Sequence, residues 1–450
     1  MAGTQHGSII MTADRKLKSF GYNLYGQLGQ AQWTGNTSLP HEVFLYTNSN
    51  NPPMPVKWYM SGGTSWLIDE NGSVWSTGYG ANGQLGYGSF TGNSFVFQQI
   101  SSAYFSNKPI VKLAVSSGSN TVGHSVLALA ADGSVFGWGY NLYGTLGIGN
   151  GTQQTSPVLV PGTGTTYIIS DIAIGPNVTS STSICAMIVS NVNNQVLVAG
   201  YNGHGALASG STADRSTLGY WNSSAGVPVQ NAKNIHISGD YPSIAVSTAT
   251  GGLWTAGYNA HGQLGNGTRN STNAGYAGLV IASGVDYVTG VGGYYGNFIA
   301  RMTNGTIRVW GYNGYGQLGN GANTTDGLTP TDTFSSTAAG RSVVKIACSQ
   351  WDYQTTALLL NDGSIYCAGY DGDSRQGRMD GQSLASRVVW DKFKLTRPDV
   401  VDLRWQGYNI YSHLEVLTSD GKIYSVGYNG NCDLCRGDTT VRYGISNYLL

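Results

Sequence analysis

The chain has 450 residues, 66 of them glycine, and its 23 lysines plus arginines balance 23 aspartates plus glutamates. With 10% charged residues and no basic run to displace counterions from a phosphate backbone, nucleic acid is excluded as the expected partner. The glycines do not recur every third residue, which excludes collagen, and 40% apolar content is enough for a packed core.

From the N-terminus, residues 1–7 lack a charged segment leading into an apolar stretch, so no signal peptide is expected. No run of about 18 apolar residues occurs, so no membrane insertion is expected. The first apolar run, Ser8-Ile9-Ile10-Met11, leads to Gly21-Tyr22-Asn23-Leu24-Tyr25-Gly26-Gln27-Leu28-Gly29. Variants of this motif begin at Gly78, Gly139, Gly200, Gly257, Gly311, Gly369 and Gly427, at intervals of 57, 61, 61, 57, 54, 58 and 58 residues. Such spacing means one supersecondary unit per period, stacked so that neighbours bury each other's apolar faces. No linker of different composition interrupts the series, so residues 1–450 are expected to form a single domain.

Within each unit the pattern is β. Ser125–Ala130, Asp132-Gly133 and Ser134–Trp138 read as strand, turn and strand, as do Thr356–Leu360 with Ser364–Ala368 and Leu414–Leu417 with Lys422–Val426. Asp-Gly and Asn-Gly suit the positive φ angles of a two-residue hairpin turn. A further strand precedes each hairpin, such as Ile110–Val115 or Val343–Ala347, and another follows the glycine motif, such as Pro157–Val160. No segment has the 3.6-residue period of an amphipathic helix. Four short antiparallel strands per unit, eight times over, predict an all-β propeller. The first unit begins at its hairpin and lacks a preceding strand. Residues 443–450 are expected to supply it, closing the ring by pairing the N- and C-terminal segments.

A hairpin ending in Trp-Gly-x-Asn-x-x-Gly-Gln-Leu-Gly resembles the repeat of the regulator of chromosome condensation family. Trp310–Gly319 is a nearly complete copy, and Trp138–Gly147 is another, with Thr145 in the glutamine position. The resemblance implies four-stranded propeller blades, usually seven. Eight hairpins are counted here, so eight blades is the expectation and seven with an overlapping terminal unit the alternative. Members of the family include a nuclear exchange factor for a small GTPase, chromatin binders, ubiquitin-ligase accessory domains and bacterial protein inhibitors of β-lactamase. The exchange factor uses a protruding insertion and a basic tail. Neither is expected in this chain, whose repeat spacing varies by 7 residues.

The glycine motif lacks the spacing of a dinucleotide-binding turn and the Gly-Lys-Ser/Thr of a phosphate loop, so no cofactor is expected. No metal site is expected either. Cys432 and Cys435 replace motif glycines and have no second ligand pair, and whether they are bridged stays open. Asp371–Gly377 lacks the glycine and terminal glutamate of a calcium loop. His6, His124 and His413 open hairpin strands, where a structural role is expected. Glu42, Glu70 and Glu415, the only glutamates, fall in different units and offer no catalytic carboxylate pair. No enzymatic activity is therefore expected.

Two sets of residues remain. Tyr22, Tyr79, Tyr140, Tyr201, Tyr258, Tyr312, Tyr370 and Tyr428 follow the first glycine of each motif, at a position variable in the family repeat. They form either an interblade packing ring or an exposed docking ring. Tyr25, Asn82, Tyr143, His204, His261 and Tyr315 occupy a variable slot three residues later.

A surface rich in Asn, Ser, Thr, Gly and 29 tyrosines suits ring stacking and amide hydrogen bonding. The expected function is a non-catalytic scaffold binding a protein or a surface glycan. Composition points further to a virion component such as a tail, fibre or capsid-decoration protein, located in the virion or in the cytoplasm before lysis. The alternatives are an intracellular, cytoplasmic or nuclear, regulator of the exchange-factor or chromatin-binding type, and a glycan-active enzyme.

Overall fold

The computed structural model describes residues 2–3, 7–12, 15–31, 35–47, 53–90, 92–118, 123–177, 182–270, 275–291, 293, 295–335, 340–349, 354–371, 386–393, 399–406, 413–429, 434 and 442–447. They form eight antiparallel four-stranded sheets, each from one uninterrupted stretch of chain. The blades, numbered 1 to 8, span 2–42, 55–99, 110–159, 169–220, 232–281, 285–335, 343–392 and 400–447. The first strands of successive blades lie against one another from blade 1 to blade 8, which makes them the innermost ring. The protein is an eight-bladed propeller, not the seven-bladed alternative. The one helical element among the described residues is a 3-10 turn, Ser102–Phe105.

The second and third strands are buried on both faces, as in Ser125–Ala130 and Val135–Gly139. The apolar residues on the two faces of one strand serve two different junctions. Val126 and Ala128 pack toward blade 2, whereas Leu127 and Leu129 pack toward blade 4. Eight hydrophobic clusters result, one per junction, in place of a single central core.

The hairpin turns differ from the two-residue form expected. Ala130 N–H bonds to Ser134 O at 2.8 Å and Gly133 N–H to Ala130 O at 3.0 Å. This is a three-residue loop in which Gly133 alone takes a positive φ, 84°. Asp132 stays outside that region while its Oδ1 accepts the Ser134 N–H at 3.0 Å.

Ring closure also differs. Arg442–Asn447 pairs with Ile423–Gly427 and completes blade 8 from its own chain segment. Ala2–Gly3 pairs with Ser8 and Ile9 and supplies the strand that blade 1 was expected to lack. Side chains join the two blades instead. Ile10 and Phe20 pack on Ile423 and Leu417, and Ser8 Oγ donates to Glu415 Oε1 at 2.7 Å.

Candidate functional site

The third strand of each blade ends at the glycine of Gly-Tyr, or in blade 7 at its tyrosine, and the glycine's φ lies between 86° and 120° in all eight copies. A side chain there would be strained, and at Gly200 its Cβ would sit 2.7 Å from Ser183 O. This glycine turns the chain onto the end of the propeller opposite the hairpin turns, the motif face. The asparagine after the tyrosine then organises the loop. Asn141 is fully buried; its Oδ1 accepts the Leu146 N–H at 2.9 Å, and its Nδ2 donates to Asn150 O and Thr152 O at 2.9 and 3.1 Å. Asn23, Asn202, Asn259, Asn313 and Asn429 repeat the bond to leucine. In blade 7 the position holds Asp371, also fully buried, which accepts from Arg387 Nε and Nη2 at 3.1 and 3.2 Å.

The motif glutamine fixes the variable slot. Gln27, Gln84, Gln263 and Gln317 accept the backbone N–H of Tyr25, Asn82, His261 and Tyr315 at 2.9–3.1 Å. The glycine after the slot lets the loop press on the next blade. A Cβ on Gly83, Gly262 or Gly316 would lie 2.6–2.7 Å from a backbone oxygen of that blade's fourth strand.

Held in this way, each slot residue meets the Gly-Tyr tyrosine of the following blade. Ring centroids are 5.4 Å apart for Tyr25–Tyr79, 5.2 Å for Tyr143–Tyr201, 5.0 Å for His204–Tyr258, 5.0 Å for His261–Tyr312 and 5.8 Å for Tyr315–Tyr370. None of the five is a face-to-face stack: all are edge-on, the arrangement ring quadrupoles favour. Asn82 breaks the series, and its carbonyl instead accepts from Gln153 Nε2 of blade 3. Tyr140 lies against Gly123, where a side chain would collide with the ring. Tyr428 is half-buried beside the blade 8 motif.

Among the described residues the belt is widest over blades 4 to 6. Tyr241 and Tyr295, on loops between first and second strands, add rings 5.0 Å from Tyr258 and 5.1 Å from Tyr312. With Tyr201, His204, Tyr258, His261 and Tyr312 they make one patch of seven rings, six of them half-buried. Sequence reasoning missed Tyr241 and Tyr295 because they lie outside the repeated motif. Their signal is an aromatic residue two positions before a hairpin strand, a position that also holds Tyr353 and Tyr411 in the sequence. His261 Nδ1 is 2.9 Å from Asp326 Oδ2, which Arg269 also approaches at 3.4 Å.

Burial, then the neighbouring Tyr25, pushes the Tyr22 hydroxyl up to about 12. Burial likewise raises Tyr201 and Tyr258, helped by Asp214 in the first case and Tyr295 in the second. These three hydroxyls therefore stay protonated and uncharged at neutral pH. Charge gathers at the opposite, hairpin end. Lys112–Asp171, Lys233–Asp286 and Lys345–Asp402 clasp inner strands of neighbouring blades there, and Lys16–Glu42, Lys108–Asp132 and Arg341–Asp362 surround them.

The other residues singled out in the sequence do not gather into a site. His124 and His413 are fully buried, and Glu415 is held by Arg404. Among the described residues no group of three or more His, Cys, Asp or Glu side chains could hold a metal ion. His6, Cys432, Cys435 and residues 372–377 lie outside the described residues. No helix among the described residues is long and apolar enough to cross a membrane.

The model for the regulator of chromosome condensation (RCC1) repeat matches residues 132–180 and 304–351. The ultraviolet-B receptor UVR8 of Arabidopsis thaliana is 26% identical over 329 residues, 70% of this chain and 65% of that protein. The X-linked retinitis pigmentosa GTPase regulator of Homo sapiens is 35% identical over 160 residues, 35% of this chain and 14% of its own length. The human E3 ubiquitin-protein ligase HERC2 is 28% identical over 203 residues, 44% of this chain and 4% of that protein. The chain thus spans less than two thirds of each of these relatives. Among solved structures, yeast RCC1 (Prp20) bound to Kap60 superposes with a TM-score of 0.59 at 16% identity, covering 83% of each chain. Human WBSCR16 does so with 0.58 at 17% identity, covering 78% of this chain and 84% of its own. These two likenesses concern the fold.

Proposed function

Because the chain is an RCC1-like β-propeller, we propose that it is a non-catalytic scaffold that docks a protein on its motif face. The observation that carries this reading is the seven-ring patch of blades 4 to 6. It is mostly tyrosine, half-exposed and held rigid by the asparagine and glutamine bonds beneath it. Tyrosine offers large contact area and a hydroxyl at little conformational cost, which suits a docking centre. Proteins captured by the intact chain and lost with His204→Ser, Tyr241→Ser and His261→Ser, while Lys112→Ser on the hairpin end retains them, would support the reading. Equal capture by all of these variants would refute it. Because the patch carries little charge, binding should weaken little between low and physiological salt.

The virion role expected from composition keeps composition as its only support. The second reading, an intracellular regulator, is favoured by the likeness to yeast RCC1, a protein solved in complex with Kap60 and examined for binding to Gsp1p and histones. Catalysed nucleotide release from a small GTPase would favour this regulator over the scaffold.

A further inference from the structure

On the hairpin side, where the chain crosses from blade 1 to blade 2, lies an open groove of about 520 Å³. That is the size of a small-molecule site. Leu17, Val43, Leu45, Pro53, Met54 and Pro55 give it an apolar lining. Three other crossovers bury an aromatic ring of their own, Phe105 and Phe393 at 2% exposure and Trp221 at 0%. In this one Phe44 borders the groove and remains 48% exposed.

Arg15 stands at the rim, its backbone in the left-handed region at φ 64° and tied to Thr12 O at 2.9 Å. Among the described residues its guanidinium meets no carboxylate. Its polar contact is Nη1 to Met54 Sδ at 3.6 Å. The neighbouring Lys16 is already paired with Glu42 at 3.1 Å.

The main chain around the groove has little to offer an extended peptide. The N–H groups of Arg15, Lys16, Val43, Phe44 and Met54 are bonded to Thr12 O, Thr12 Oγ1, Leu17 O, Gly29 O and Glu70 Oε1. Pro53 and Pro55 have none. Recognition must come from apolar contact and one planar cation, which pairs well with a carboxylate. We propose that this groove binds a small apolar carboxylic acid, its chain on Phe44, Met54 and the prolines and its carboxylate on Arg15.

Isothermal titration calorimetry of the full chain with octanoate tests this. Saturable binding is expected, with 1-octanol at least about tenfold weaker, the worth of a charge-assisted hydrogen bond. Arg15→Ala should weaken octanoate by about tenfold and leave octanol unchanged. Glu42→Gln should strengthen octanoate about two- to fivefold, because it removes a like charge and frees Lys16. Circular dichroism establishes that each variant is folded. Absent octanoate saturation, equal affinity for octanol, or an Arg15→Ala variant that binds octanoate as well as the parent overturns the assignment.

Discussion

The ring of Tyr25 in blade 1 stands edge-on against that of Tyr79 in blade 2, with centroids 5.4 Å apart and planes at 71°. Two positions three residues apart within each repeat thus become partners between repeats. The contact is both mechanical and a surface, since both rings stay half-exposed. A double-mutant cycle of Tyr25→Ala and Tyr79→Ala should give a coupling of about 0.5–1.5 kcal/mol in urea unfolding. Additive losses would mean that the rings merely lie near each other.

The loop beneath the belt depends on one amide per blade. Asn141→Ala should cost about 3 kcal/mol, because it strands the buried Leu146 N–H and the carbonyls of Asn150 and Thr152. Asn141→Asp should be no better, since a carboxylate would face those two carbonyls. A melting temperature unchanged in both variants would show that water replaces the side chain.

Blade 7 tolerates a carboxylate at this position because Arg387 supplies two N–H donors. Arg387→Ala should cost about 3–5 kcal/mol by leaving Asp371 charged and buried. Adding Asp371→Asn to that variant should restore part of the loss. Failure to do so would assign the loss to packing of the arginine stem.

Acid should weaken the protein through His124. Burial pushes this imidazole down to about 4, although its Nδ1 bonds to Ser116 O at 3.1 Å. The unfolded chain therefore takes up the proton first. The neutral ring's contribution is complete above pH 6.5 and is lost as the pH falls toward 4, by about 3 kcal/mol. His124→Gln should flatten the stability profile over that window, measured by urea unfolding at a series of pH values. A slope identical to that of the parent would exclude His124 as its source.

Much of the fold was legible because hairpins are local. Asp132-Gly133 and Asp362-Gly363 mark turns whatever the rest of the chain does, and regular spacing converts eight hairpins into eight blades. Ring closure was not legible. A two-residue strand such as Ala2–Gly3 has no alternation to read, and Arg442–Asn447 suits the outer edge of its own blade as well as a partner's inner edge. The tyrosine and slot positions were visible as a pattern, but their pairing across junctions arises from the curvature of the ring. Tyr241 and Tyr295 join it from loops that the repeat does not constrain.

Among the described residues each sheet is built from one contiguous stretch of chain, and no strand is lent across the seam between blades 8 and 1. In genetic terms the blade is a cassette. An in-frame duplication or loss of one repeat changes the ring by a whole sheet and leaves every remaining ladder intact. Only the angle between neighbours has to adjust, and side-chain clusters at the junctions absorb that more readily than a shared strand would. Eight blades can therefore arise by simple recombination where a resembling repeat usually builds seven.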